Sequence, residues 1–451
     1  MSETTNANLR LTSDSMLTRN TVWNLASNGA PLAVAVFCIP VLIHSLGKDR
    51  FGVLTLAWAL VGYASLFDIG LGRALTQMVA QKLGAGENQE IPSLVWTSLL
   101  IMLALGVFGA VVVIAISPWL VHLVLKIPEM LQSETLHAFY LLALSVPVVI
   151  STAGLRGLLE AHQRFDLVSA LRIPTGIFTF AGPLLVLPFS HSLVAVVGIL
   201  VAGRFLGCLA NFWLCLRVVP ELTRRIAWHG PSAGPLLRFG GWMTVSNIVG
   251  PLMISLDRFF IAGLVSVVAV TYYATPFEVV TKLWIISTAI SGVMFPAFSL
   301  CGVIRSDRTS LLYRRTMKYN AVILLVLTTV LLLGAKTGLS LWLGPDFATH
   351  SYRVAQLLGI GAFALGVGAI PFALIQGLGR PDIPAKLNLI EVPFYLLALY
   401  WAVHNFGVNG AAMAWTLRAS IDGLLLVFFA HQLTRKPSSR LSPIAVGSVR
   451  E

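Results

Sequence analysis

At 451 residues the chain is 57% hydrophobic and only 11% charged, with a mean hydropathy of +0.83. A soluble chain of this length needs far more charge to cover its surface, so hydrocarbon must surround most of it. The net charge of +12 would suit a nucleic-acid binder only if Lys and Arg crowded one water-exposed face; here they gather between apolar runs.

The first 19 residues are polar, without the apolar core or small-residue cleavage pattern of a signal peptide. The first apolar run, 20–43, carries Trp23-x-x-x-Ser27-Asn28 and then Pro31. The second, 51–72, ends in Phe67-Asp-Ile-Gly-Leu-Gly-Arg73, where Asp68 and Arg73 bracket its end. Runs at 92–117, 137–158 and 167–188 follow, then 193–216 with Arg204 near its middle and no acidic residue within a turn. A basic segment with Pro and Gly, 219–234, divides the chain. Beyond it, run 235–261 carries Trp242-x-x-x-Ser246-Asn247, Pro251 and the adjacent Asp257 and Arg258. Run 267–299 holds Glu278 and Lys282, and 319–343 leads to 354–377 with Gly359, Gly361, Gly366 and Gly368, suited to close helix packing. The last two, 384–403 and 409–431, hold Glu391, and Arg418 with Asp422.

These runs are continuously apolar over about 20 residues, the length of a spanning helix, and lack the short alternation of a barrel. Twelve of them predict an all-α integral membrane protein. The two Trp-x-x-x-Ser-Asn matches, and the arginines Arg204 and Arg418 in the sixth run of each half, suggest a duplicated unit. An even number of spans per unit makes the repeats parallel, two six-helix bundles related by a pseudo-two-fold axis along the membrane normal. The expected organisation is a tail (1–19), a bundle (20–218), a linker (219–234), a second bundle (235–433) and a tail (434–451). Two such bundles can rock to open a central cavity to either side in turn. Pro31, Pro40, Pro147, Pro183, Pro251, Pro276, Pro371 and Pro393 fall within the runs and would bend them.

Of the 31 Lys and Arg, 22 lie in the tails and the loops 73–91, 156–172, 217–238, 300–318 and 378–386, including Arg224, Arg225, Arg305, Arg308, Arg314, Arg315, Lys318, Arg435 and Lys436. The opposite side holds Lys48, Arg50, Lys126, Lys336 and Arg353. By the positive-inside rule both termini are cytoplasmic, so the basic excess reflects topology. Cys38, Cys208, Cys215 and Cys301 form no CxxC and no disulfide framework is expected. The sequence holds no HExxH, nucleophile elbow or phosphate loop, and no loop long enough for a nucleotide domain, so neither an enzyme, a metal site nor a cofactor is expected.

Charge within a span is costly and faces the bundle interior, a partner or water. The runs hold Arg204, Arg258, Lys282 and Arg418 against Asp68, Asp257, Glu278, Glu391 and Asp422. Glu278 with Lys282, and Arg418 with Asp422, are four apart and can pair on one face; Asp257 and Arg258, being adjacent, point apart. Such pairs either lock a bundle or line a hydrated cavity. Arg204, with no local acid, is the best candidate to hold an anionic group, since its planar fork suits phosphate or carboxylate.

Asn20-Thr-Val-Trp-Asn-Leu-Ala-Ser-Asn28, Gly47-x-x-x-Phe-Gly52, Phe67-Asp-Ile-Gly-Leu-Gly-Arg73, Asp257-Arg-Phe-Phe-Ile-Ala-Gly263, Val270-x-Tyr-Tyr-Ala-x-Pro-x-Glu278 and Phe295-Pro-Ala-Phe298 follow one another in order. With them the chain resembles the polysaccharide-transporter, Wzx-type oligosaccharide flippases of the multidrug/oligosaccharidyl-lipid/polysaccharide exporter superfamily. The resemblance implies flipping of an undecaprenyl-pyrophosphate-linked oligosaccharide to the outer leaflet of a bacterial inner membrane, for O-antigen, capsule or exopolysaccharide assembly. It implies membrane lipids, a coupling ion (H+ or Na+) and a polysaccharide polymerase with its chain-length machinery as partners, and no nucleic acid. Spans 1, 2, 7 and 8 would face the cavity, which carries Asp257, Arg258, Glu278 and Lys282 over directly; Arg258 and Lys282, together with Arg204 and Arg418 of the sixth and twelfth spans, become candidates for the headgroup. Asp68, Arg73, Asp257, Glu278 and Asp422 become candidates for coupling or gating. A cation-coupled drug exporter of the same superfamily, or a lipid II flippase, is the alternative.

Overall fold

The computed structural model describes residues 13–64, 68–124, 127–223, 229–304 and 306–435, whose regular structure is helical. Residues 1–12 and 436–451, with Lys436, and likewise Phe67, Lys126, Arg224, Arg225 and Arg305, lie outside the described residues. The helices are α1 (Asp14–Ala64), α2 (Leu71–Ala85), α3 (Ile91–Trp119), α4 (Glu129–Ala161), α5 (Phe165–Val186), α6 (Leu193–Val218), α7 (Gly230–Leu264), α8 (Val267–Thr281), α9 (Trp284–Ile304), α10 (Ser306–Leu343), α11 (Pro345–Gly377) and α12 (Asp382–Arg435).

Among the described residues ten helices are long and apolar enough to cross a membrane. They do not map one to one onto the predicted runs. With 51 and 54 residues, α1 and α12 outrun one crossing, and each bends at a glycine of positive φ, Gly47 (78°) and Gly407 (57°). Runs 20–43 and 51–72 therefore enter two limbs of one bent helix, as do 384–403 and 409–431. Run 267–299 is interrupted after Thr281 and resumes at Trp284, and α7 begins at Gly230, inside the predicted linker. The stretch 156–172, read as a loop, is mostly the end of α4 and the start of α5. Prolines sit inside helices at the predicted positions and also at Pro118, Pro174 and Pro296. Large apolar side chains face outward, Phe37 at 77% and Leu333 at 81% exposure, as a helix bathed in hydrocarbon requires. The chain is an all-α, multi-pass membrane protein.

After Gly241 it divides into two compact units. In the first, α4 is the hub against which α2, α3 and α6 pack, while α5 packs on α1 and α6. Close approach sets this seam: a Cβ on Gly157 of α4 would stand 2.5 Å from Thr76 Oγ1 and 2.7 Å from the Gly72 carbonyl of α2. In the second unit α11 is the hub for α8, α9, α10 and α12. There the expected glycine packing is found: a Cβ on Gly361 would meet the Trp415 ring at 2.5 Å. Tyr273, Phe277, Leu358, Tyr395 and Trp415 form the core around it. The four cysteines are free.

The two hubs end in the same turn. After α4, Gln163 takes φ 58° and after α11, Gly379 takes φ 80°. Gln163 N donates to Glu160 O at 2.9 Å and Arg164 N to Leu159 O at 3.0 Å; Gly379 N donates to Gln376 O at 2.9 Å and Arg380 N to Ile375 O at 3.1 Å. Each turn then closes with an ion pair onto the next helix, Arg164–Asp166 and Arg380–Asp382, both at 2.9 Å.

Candidate functional site

The site in the first unit is built by the two segments that carry its motifs. In Asp68-Ile-Gly-Leu-Gly-Arg73 the chain reverses through Ile69 (φ 48°) and Gly70 (φ 65°). Asp68 Oδ1 then accepts the Gly72 N–H at 3.0 Å, satisfying a donor at the start of α2. Glycine adopts that backbone without cost, whereas β-branched Ile69 does not.

The opening motif puts Asn20, Asn24 and Asn28 four residues apart, hence on one helix face, and that face meets α5. Asn20 Nδ2 donates to Gln163 O and Oε1, each at 3.1 Å, and Ser169 Oγ donates to Trp23 O at 3.0 Å. One turn on, Arg172 Nη2 donates to Asn28 Oδ1 at 2.6 Å and Nη1 to Asn24 Oδ1 at 3.5 Å. Across from it on α6, Arg204 Nη1 donates to Ser145 Oγ of α4 at 3.1 Å.

These side chains open onto a cavity of about 720 Å³, lined by Asp68, Arg156, Arg172 and Arg204 among apolar groups that include Trp58, Phe178 and Leu200. That volume lies within the range of ligand sites, and a few placed polar groups in an apolar wall are their usual make-up. Arg172 and Arg204 are held by neutral oxygens, so they are positioned without being neutralised. Arg156 has Glu160 Oε1 3.8 Å from its Nε. Three guanidiniums thus line the cavity with one carboxylate, Asp68, among the described lining residues. The lining favours an anion, and phosphate oxygens match guanidinium forks.

In the second unit, Asp257 is fully buried and accepts the hydroxyls of both Tyr273 and Tyr395. Arg418 lies 5.4 Å over the Tyr395 ring. The charges that act on Glu391 are Asp422 and Arg418, and Arg418 acts on Asp257 too. Glu391, Arg418 and Asp422 are all buried. Outside this core, Arg258 turns away from its neighbour Asp257 and pairs with Glu278 at 2.9 Å, while Lys282 approaches the same carboxylate at 3.7 Å. Two cations share one carboxylate, leaving the exposed trio one positive charge in excess.

The nine residues singled out in the sequence therefore fall into separate groups. Arg204 and Asp68 meet at the cavity. Arg73 is exposed, within electrostatic reach of Glu160, Arg156 and Asp68. Arg258, Glu278 and Lys282 form the exposed trio, and Asp257, Arg418 and Asp422 share the buried core. The i,i+4 expectation for Arg418 and Asp422 fails: they make no ion pair within 4 Å among the described residues, and Arg418 Nε and Nη1 lack hydrogen-bond partners. Arg156 and Arg172 were missed because hydropathy falls before the helices end. Arg156-x-x-x-Glu160, at helical spacing, was the signal. Tyr273 lies in the Val270-x-Tyr-Tyr-Ala motif, which gives no sign of its partner; Tyr395 has no signal.

The fold has known counterparts. A Vibrio cholerae MATE transporter, VcmN in its bent form, superposes with a TM-score of 0.81 at 16% identity, covering 95% of this chain and 98% of that one. An outward-facing multidrug resistance MATE family transporter of the MOP superfamily gives 0.80 at 12% identity, covering 94% and 97%. The fold is thus that of the MATE structures. Residues 17–301 match the family described as "Polysaccharide biosynthesis protein". The chain is 31% identical over 411 residues to a Shigella flexneri protein named "Putative O-antigen transporter", covering 90% of this chain and 96% of the relative. It is 22% identical over 419 residues to the lipopolysaccharide biosynthesis protein WzxC of Escherichia coli K12, covering 90% and 79%. The chain belongs to the polysaccharide biosynthesis, Wzx-type family. It is a multi-pass bacterial membrane transporter and not an enzyme.

Proposed function

We propose that the protein flips an undecaprenyl-pyrophosphate-linked oligosaccharide from the cytoplasmic to the outer leaflet of the inner membrane by alternating access. The observation that carries this reading is the cavity of the first unit, where Arg172 and Arg204 are aimed by Asn28 and Ser145 yet keep their charge. A pyrophosphate headgroup needs such cations to leave water, while a polyprenyl tail can stay in lipid. No bond is made or broken, so no cofactor is called for. A cavity for cationic drugs would carry the opposite sign.

The twelve crossings we propose are the two limbs of α1, α3 to α7, α8 with α9, α10, α11 and the two limbs of α12, with both termini cytoplasmic as the basic loops favour. Arg156 and Arg172 then lie about 8–10 Å along their helices from the cytoplasmic ends, and Arg204 about 20 Å along α6. A headgroup would meet the first two before the third. Arg258 and Lys282, with one net charge, are further headgroup contacts in this reading; Arg418, being buried, is not. Assembly of O-antigen, capsule or exopolysaccharide, with a polymerase and chain-length machinery as partners, is the setting. Reporter fusions after Ser232 and Arg440 should report cytoplasm and one after Pro128 the outside.

The deciding experiment follows lipid-linked oligosaccharide reaching the far leaflet of sealed vesicles, with protein level controlled. Arg172→Ala and Arg204→Ala should each lose flipping, and Arg204→Lys should recover part of it. Normal flipping by the double Arg172→Ala, Arg204→Ala variant, or a purified protein that extrudes cationic dyes and moves no glycan, overturns the assignment.

A further inference from the structure

Two cations of the α10–α11 hairpin have no carboxylate to meet. With 38 residues α10 is about 57 Å long, well beyond the roughly 30 Å of a hydrocarbon core. Its first half carries Arg314, Arg315 and Lys318. A span of about 20 residues that starts at Tyr319 ends near Gly338, so Lys336 stands at the far headgroup level, where a lysine stem can carry its charge to water. Arg353 of α11 meets it there. Lys336 Nζ lies 5.7 Å and Arg353 Cζ 5.8 Å from the centroid of the same ring, that of Tyr352.

Arg50, expected on the same side from the sequence, has Glu134 as its partner at 3.3 Å. Lys336 and Arg353 are both exposed, and among the described residues neither has a carboxylate within 4 Å. The one acid of α11, Asp346, lies by His350 at 3.9 Å. Arg353 Nε donates to the Tyr352 hydroxyl at 3.0 Å, and that hydroxyl keeps its own proton to give. Two like charges against one ring repel each other, and an anion between them reverses the sign. Below them the surface is apolar and open. Val326, Val330 and Leu333 are 58%, 66% and 81% exposed, and Lys336 follows Leu333 on the same face of α10. Gln356 Nε2 donates to Leu332 O at 2.9 Å and Ala335, Leu339 and Ala355 close the seam, so the two helices present their cations from a fixed frame.

We propose that Lys336, Arg353 and the Tyr352 hydroxyl bind the phosphate of an anionic phospholipid whose acyl chains lie along the open stripe of α10. A phosphodiester offers acceptors to an ammonium, a guanidinium fork and a phenol at once. The stripe selects a membrane lipid over free phosphate. The pyrophosphate of the proposed cargo is the other lipid phosphate at hand, but neither cation lines the cavity of the first unit. In the topology proposed above the lipid belongs to the outer leaflet; the site itself requires only that α10 and α11 cross a bilayer.

The test is native mass spectrometry of the purified full chain in detergent with added phosphatidylglycerol or phosphatidylcholine. The wild type should hold phosphatidylglycerol in preference, and Lys336→Gln with Arg353→Gln should hold one such molecule fewer. Arg353→Lys, which keeps the charge, should retain it, and Tyr352→Phe should weaken it in part. Equal retention by the wild type and the double variant overturns the proposal. So does a loss seen only for added undecaprenyl pyrophosphate, which would give the two cations to the carrier. If the double variant does not purify, the single variants decide: retention unchanged in both overturns the site. Neither result touches the flipping assignment, since Arg172 and Arg204 are unaltered throughout.

Discussion

Arg204 and Arg418 hold matching places, mid-way along the last apolar run of each half, yet they have become different things. Arg204 is half-exposed on a cavity wall and tied to a serine hydroxyl. Arg418 is 8% exposed, stacked over a tyrosine and surrounded by carboxylates. An arginine within a span is thus not a site by itself. Its neighbours on other helices decide whether its charge is spent inside the protein or left for a ligand. Around both arginines the frame is alike, with one hub helix in each unit and the same Arg-x-Asp turn leaving it.

The comparison breaks first on stability. Asp257→Ala should destabilise the second unit by on the order of 3–5 kcal/mol, because it strands the hydroxyls of Tyr273 and Tyr395 and removes a charge facing Arg418. Thermal unfolding in detergent measures this, and Asp257→Asn should recover part of the loss. A small effect from Asp257→Ala would mean the second unit is not held by its buried charges. Arg172→Ala should behave the other way. Flipping should fall about 10–100-fold, the worth of one charged hydrogen bond to a phosphate, with little change in unfolding temperature. A drop in stability as large as that of Asp257→Ala would move Arg172 from ligand contact to structural tie.

The spans were legible because hydrocarbon demands about 20 apolar residues whatever the tertiary structure. Helix ends were not, since a helix continues for as long as its backbone is hydrogen-bonded. That is why the sequence alone reads 156–172 as a loop, although the cavity uses both Arg156 and Arg172. Local spacing placed the contact of Glu278 with Lys282, but Arg258 reaches the same carboxylate from 20 residues away, and no periodicity predicts that. Tyr395 meets Asp257 across 138 residues, a contact that only packing creates. The asparagine stripe of α1 was visible as a motif, and its physical meaning needed α5 beside it.

A smaller effect separates the exposed trio from both buried groups. Glu278→Ala leaves Arg258 and Lys282 unpaired, but these side chains are between 38% and 68% exposed, so water replaces the carboxylate. Unfolding should shift by about 1 kcal/mol or less. The double change Glu278→Ala, Lys282→Ala does not leave a neutral patch, since Arg258 remains. If the trio meets the headgroup, that variant keeps the single excess charge and should keep much of its flipping, whereas Arg258→Ala with Lys282→Ala should not. Equal flipping by the two double variants would remove the trio from the headgroup's path.

The smallest effect tests the likeness of the frames. Asp166 and Asp382 each stand in the first turn of the helix they open, where a negative charge meets the helix N-terminus, and each is paired with the arginine two residues before it. Arg164 to Arg380 and Asp166 to Asp382 are separated by the same stretch of chain, close to that between Trp23 and Trp242 or between Arg204 and Arg418. If the units are duplicated, the two turns are one device used twice. Asp166→Ala and Asp382→Ala should then cost similar amounts, about 0.5 kcal/mol each, given that the arginines are 41% and 46% exposed and screened by water. Asp382 also accepts from Lys386 at 3.1 Å, so its variant should be the slightly worse of the pair, and adding Lys386→Ala to both backgrounds should bring the two values together. Unfolding measured at low and high salt checks the origin, since both differences should shrink as salt screens the pairs. A cost confined to one turn at either salt concentration would mean that the matching geometry arose from separate constraints, and the repeat would rest on the Trp-x-x-x-Ser-Asn matches and the two mid-span arginines alone.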